Sequence, residues 1–217
     1  MADIDSEVGP ADRRHAHKLV ERAEGIECCA DVPPDLDLEA IAGLLDPRAL
    51  GIRELNRLAH RLEKLAREEA FLDLGAISSA TVARLIGDAS ADQLAGVMTL
   101  PTLRCWVLDE MFRRMGRYFR GDRGRRVDAV VHWRLTGGTG VDGYDWYETI
   151  IENGTCVVNA VKTRFPRVTI TVNPANFLRL ITGNATAAML LMSGGLRVRG
   201  DLAFVAGLSD LFQPPAI

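Results

Sequence analysis

The period of the apolar residues changes near Arg126, and that change limits what the chain can fold into. Before it, apolar residues recur every three or four positions, as on one face of a helix. In 47–72, Ile52, Leu55, Ala59, Leu62 and Ala66 share a face. In 102–120, Val107, Leu108, Met111, Phe112, Met115, Tyr118 and Phe119 form one stripe, and Asp109, Glu110, Arg113, Arg114, Arg117 and Arg120 form the other. A weaker helix is expected over 10–25, a break over 31–37 and a short helix after Asp37. Ser79 and Ser90 read as caps of two further short helices, and Ser90 with Gln93 has capping-box spacing.

After Arg126 the period is two. Val127, Ala129, Val131, Trp133 and Leu135 alternate with Asp128, His132 and Arg134, so a strand with two distinct faces is expected. Asn153-Gly154 is the preferred pair of a type I′ turn and makes 144–163 a hairpin. "RVTITVN" is a fourth strand. Asn173-Pro174 starts a helix that Gly183 ends, and 185–192 is a short apolar helix. "LRVRG" is a fifth strand, and a last helix runs from Asp201 to Pro214-Pro215. One helix, four strands, two helices, a strand and a helix give an α+β domain over 101–217. Residues 1–100 form a separate helical region.

Composition narrows the function. With a net charge of −3 over 217 residues, the chain lacks the basic balance of a nucleic-acid binder. The acidic start "MADIDSEVG" lacks the basic and apolar regions of a secretory signal, so none is expected. The apolar run 185–192 falls far short of the roughly 20 residues of a membrane span. Cys28 and Cys29 are adjacent, and Cys105 and Cys156 are isolated, which fits a reducing compartment. A cytoplasmic protein is expected.

No catalytic constellation stands out. His15, His17, Cys28 and Cys29 match no zinc spacing, and His60 does not complete one, so no metal or other cofactor is expected. "GGTGVDG" lacks the lysine of a phosphate loop and reads as a strand connection. His132 has no nucleophile or carboxylate at a recognisable spacing and reads as a strand-face histidine. Seven arginines fall within Arg113–Arg126. They read either as a solvated helix face or as a docking surface for anionic headgroups or an acidic partner, led by Arg113, Arg117, Arg120 and Arg125.

The stretches "VVHWRLTGG", "DWYETIIENGTC", "VTITVNPANFLRLITGNATAAMLLMSGGLRVRGD" and "AGLSDLF" resemble the sterol carrier protein 2 (SCP2) family over about 104–212. The run "MSGGLRVRGD" is similar to that family's "FMxGKLKIxGD" and departs from it at Gly195, where the family often carries lysine. The resemblance implies a twisted five-stranded sheet covered by helices, with an apolar tunnel between them. It implies a non-catalytic lipid carrier for fatty acyl, acyl-CoA, phospholipid or sterol. The lining it suggests is Phe112, Met115, Trp133, Phe177, Ile181, Met189, Met192 and Phe204. Met suits such a lining because its unbranched thioether packs against varied shapes. Two other readings stand beside it: a protein-interaction scaffold whose tunnel is filled, and a thiol- or metal-dependent enzyme.

Overall fold

The computed structural model describes residues 37–67 and 73–213. The expected helix at 10–25, the histidines His15 and His17, the Cys28–Cys29 pair, the end of the 47–72 helix and the closing prolines lie outside the described residues. The chain divides into two compact units, Met1–Leu103 and Arg104–Ile217.

In the first unit, α1 (Leu38–Leu44), α2 (Ile52–Arg67), α3 (Ser79–Asp88) and α4 (Ala91–Val97) precede α5 (Pro101–Tyr118), whose first turn holds the division between units. Asp37 caps α1 through Ala40 N, as its sequence position suggests. Helices α1 and α3 cap each other. Glu39 accepts from Ser78 N and Thr81 Oγ1, both at 2.7 Å, and Arg84 donates to the carbonyls of Ala42 and Leu45 at the other end. The cap of α3 is Ser78, not Ser79: only Ser78 has extended backbone and accepts from Thr81 N. Ser90 and Gln93 do form a capping box. Helix α2 begins at Ile52, five residues later than Pro47, because Pro47–Ala49 forms a turn and the Glu54 carboxylate takes Gly51 N at 2.8 Å. Leu55 and Ala59 are buried on the expected face, while Ile52, in the first turn, is exposed.

The second unit holds β1 (Ala129–Thr136), β2 (Tyr144–Glu152), β3 (Thr155–Asn159), β4 (Val168–Val172) and β5 (Leu196–Gly200) in one sheet of order β3-β2-β1-β4-β5. Strand β1 is central. It runs antiparallel to β2 and parallel to β4, and β5 closes the sheet antiparallel to β4. Asn153 and Gly154 both have positive φ, 53° and 76°, as a type I′ turn requires. The crossover to β5 contains α7 (Pro174–Ile181), capped by Asn173, and α8 (Ala187–Met192), capped by Thr186. Helix α6 (Gly121–Gly124) is a single turn. The closing helix α9 (Leu202–Leu208), capped by Asp201, gives way to a 3₁₀ turn at Ser209–Leu211. Beyond it the backbone of 211–213 pairs with 118–120, through Arg120 N to Leu211 O and Gln213 N to Tyr118 O, both 2.8 Å. The chain end is thus stitched to the end of α5. Phe119 and Phe212 meet edge to face at this bridge.

Alternation along β1 gives the sheet an inner and an outer face. Ala129, Val131, Trp133 and Leu135 are buried on the inner one. On the outer face Glu148, wholly buried, gathers the connection from β3 to β4. It accepts from Thr163 Oγ1 at 2.6 Å, Arg164 N at 2.9 Å, Thr163 N at 3.0 Å and Asn159 Nδ2 at 3.2 Å. His132, its register partner on β1, brings Nε2 to 3.1 Å. Burial opposes the charge of this carboxylate, but the hydrogen bonds outweigh burial and hold it at about 2, below its ordinary 4.5.

Because the folded value lies below the unfolded one, the group stabilises the fold above about pH 4.5 and loses that contribution as pH falls toward 2. Glu148→Ala, which leaves several buried donors unanswered, is expected to cost about 3–5 kcal/mol in urea unfolding at pH 7. Glu148→Gln is expected to flatten the acid limb of stability between pH 4.5 and 2. An unchanged acid limb in Glu148→Gln contradicts this account of the carboxylate.

Candidate functional site

The inner face of the sheet meets α5 and α7 through four aromatic rings. Phe112 lies between Tyr147 and Phe177, stacked at centroid distances of 3.9 and 4.4 Å. Trp133 approaches Phe112 and Phe177 edge-on at 6.0 and 5.6 Å. The chain reaches this geometry simply. Phe112 sits on the apolar stripe of α5, Trp133 and Tyr147 are register partners on β1 and β2, and Phe177 is one turn into α7. The indole of Trp133 donates to Thr149 Oγ1 at 2.9 Å, so its one polar atom is satisfied inside the layer.

One side of the stack is polar. Tyr147 donates its hydroxyl to Asp109 Oδ1 at 2.6 Å, and the Cys105 thiol donates to Asp109 Oδ2 at 3.6 Å. Arg104 bonds Asp145 at 2.6 Å and the Thr136 carbonyl at 2.8 Å, tying α5 to the ends of β1 and β2. Burial, with the bond to Asp109 behind it, pushes the Tyr147 phenol up. Burial and the Asp109 charge push the Cys105 thiol up, and burial pushes Cys156 up to about 12. Both thiols are therefore protonated near neutrality and are weak nucleophiles. Among the described residues, no three His, Cys, Asp or Glu side chains are grouped to hold a metal, and His60 is exposed on α2.

The structure brings Phe112, Met115, Trp133 and Phe177 into the buried interior. Ile181, in the last turn of α7, is half-buried. Phe204 is half-buried with the Arg167 guanidinium 4.7 Å over its ring. Met189 and Met192 are not brought to the stack: they are 61% and 90% exposed. Helix α8 has only six residues and is apolar on every side, so composition does not say which side faces in. Its cap and its periodicity turn Ala187 and Leu190 inward and leave Met189 and Met192 on the opposite side.

The arginines separate too. Arg114 is buried against Glu110, which also pairs with Arg113. Glu110 and Arg114 thus leave the solvated face of α5 to which the helical stripe assigned them; a buried pair can sit on the apolar flank because each charge meets the other. Arg120 pairs with Asp122, while Arg117 and Arg125 are exposed. The outer-face cluster of His132 and Glu148 was invisible to spacing, since sixteen residues separate them and only the hairpin register joins them.

Residues 117–213 match the SCP-2 sterol transfer family.

The SCP2-like segment covers most of the second unit, and the match supports lipid binding or transfer in general. No curated protein matches the chain in sequence. Similar solved structures include palmitated SCP2L2 from Aedes aegypti, 18% identical, covering 48% of this chain and 88% of that one at a TM-score of 0.37. Sterol carrier protein 2 from Yarrowia lipolytica in its apo form is 15% identical, covering 51% and 88% at 0.36. The inverting sec-alkylsulfatase Pisa1 from Pseudomonas sp. is 11% identical at 0.44. It covers 95% of this chain, which spans only 32% of the sulfatase.

Removing the ring at the centre of the SCP2-like interior tests its role in packing. Phe112→Ala is expected to cost about 3–5 kcal/mol in chemical denaturation. Met192→Ala, on the exposed side of α8, is expected to change stability by less than about 0.5 kcal/mol. Equal costs for the two would contradict the placement of these side chains.

Proposed function

We propose that the SCP2-like unit binds a hydrophobic lipid in the layer between the inner sheet face and α5, α7 and α8, and carries it through the cytoplasm without chemistry. The observation behind this reading is the inner layer itself: an apolar sheet face roofed by apolar helix stripes, with the Asp109–Tyr147 pair as a polar end. Lipid pockets have that composition, mostly apolar with a few fixed polar groups. Among the described residues, Cys105 and Cys156 are thiols held protonated, which fits a carrier better than an enzyme that used either of them as nucleophile. Arg117 and Arg125 are exposed for contact with anionic headgroups or an acidic partner during loading.

One observation favours a second reading. Phe112, Tyr147 and Phe177 are in direct stacking contact, as in a scaffold whose interior is filled by its own side chains. For a lipid to occupy this part of the layer, those rings must separate. Displacement of a fluorescent fatty acid from the full chain distinguishes the two. A carrier binds the probe, and Ile181→Glu weakens binding at least about tenfold, because a carboxylate at the edge of the layer stays charged at a cost or becomes a neutral polar group against the chain. Met192→Glu binds as wild type does. If wild type binds neither this probe nor a phospholipid analogue, the scaffold reading replaces the carrier.

A further inference from the structure

We infer that the outer face of the sheet, with the connection between β3 and β4, is a docking surface for a bilayer containing anionic phospholipid. In this connection Phe165 is 98% exposed and Val161 65% exposed. Their exposure is held in place, because Thr163 and Arg164 are pinned from below by the buried Glu148 carboxylate through their backbone amides and the Thr163 hydroxyl. A buried anchor thus presents an aromatic side chain to solvent where a pliable loop could fold it away.

Cations share the outer face with this connection, together with one carboxylate: Asp142 accepts from Trp146 Nε1 at 2.7 Å beside Lys162. Paired residues on neighbouring strands point to the same side, so the register sets Arg134, Thr171 and Arg197 in one row, and His132, Thr169 and Arg199 in the next. Arg134 and Arg197 stand two strands apart, about 10 Å. None of Arg134, Arg197 and Arg199 is paired with a described carboxylate, and Arg134 Nε is buried without a hydrogen-bond partner. The Arg134 guanidinium rests on the Tyr144 ring at 3.9 Å, and Lys162 stands 3.6 Å over Trp146. Arg164 and Arg167 are paired with Glu152 and Asp201 and add little net charge. The second unit as a whole carries fifteen Lys and Arg against ten Asp and Glu, although the full chain is acidic.

These groups suit a bilayer surface. Trp and Tyr lie at headgroup depth, arginine meets phosphate, and an exposed Phe enters the acyl boundary. The aromatic faces already hold cations, which argues against bases stacking on them. A soluble partner would need both a pocket for Phe165 and carboxylates at these spacings. The inference rests on this face and not on what fills the interior.

Flotation of the full chain with vesicles of phosphatidylcholine alone, and of phosphatidylcholine with an equal part of phosphatidylserine, tests it. Wild type is expected to float with the anionic vesicles and to be released at high salt. Phe165→Ser is expected to lower partitioning about tenfold, as is Arg197→Glu combined with Arg199→Glu, with unchanged melting in both. Phe165→Trp is expected to add a blue-shifted emission on the anionic vesicles only. Four results overturn the inference: no flotation of wild type, equal flotation on both vesicles, flotation of both variants as wild type, or a loss confined to Arg117→Glu with Arg125→Glu. The first result is the one expected if a soluble protein occupies this face. Loss of fatty-acid binding without loss of flotation would sink the carrier and leave this surface standing.

Discussion

Everything in the second unit depends on the alternation of β1. It is the central strand, so its odd-numbered side chains build the interior and its even-numbered ones build the outer face. Trp133 on one side meets Phe112 and Phe177; His132 on the other meets Glu148. A one-residue slip against β2 would exchange those sets and bury Arg134 under α5. The Asn153-Gly154 turn fixes the register at one end of the β2–β3 hairpin, and the Glu148 cluster fixes it at the middle of the sheet.

The two faces differ in kind. Inside, the interactions are non-directional and sum over area: stacked rings, Leu108, Met111, Met115 and the aliphatic residues of β4. Outside, one carboxylate does the organising through several directional bonds, and it keeps its charge because those bonds outweigh burial. The apolar part of the interior can rearrange around a guest as long as Trp133 Nε1 and the Tyr147 hydroxyl keep their bonds to Thr149 and Asp109. The Glu148 cluster cannot. The inner layer is therefore the side suited to an adaptable ligand, and the outer side is suited to presenting fixed groups to a surface.

Much of this was legible in the sequence where local chemistry decides. Asn173 before Pro174, Ser90 with Gln93, Asp201 before α9 and Asn153-Gly154 each specify a cap or turn within a few residues, and each forms as read. The resemblance carried by "MSGGLRVRGD" and its neighbours gave the sheet and its helices. What was not legible depended on contacts distant in sequence. Ser78 and Ser79 are chemically alike, and the Glu39 carboxylate, which takes Ser78 N, arrives from 39 residues away. Met189 and Met192 belong to a helix with no polar side, so only packing could turn them outward. Arg114 looked like its solvated neighbours until Glu110 was seen to bury with it. His132 and Glu148 lie on different strands, and no spacing rule joins them.

The central claim is that the inner layer opens to hold a lipid. Native mass spectrometry of the full chain, purified without detergent from its own host, tests it most directly. The account predicts a mass above that of the bare chain by one lipid, released on gentle activation and absent from Ile181→Glu. Bare chain alone, from wild type freshly purified in this way, would contradict it.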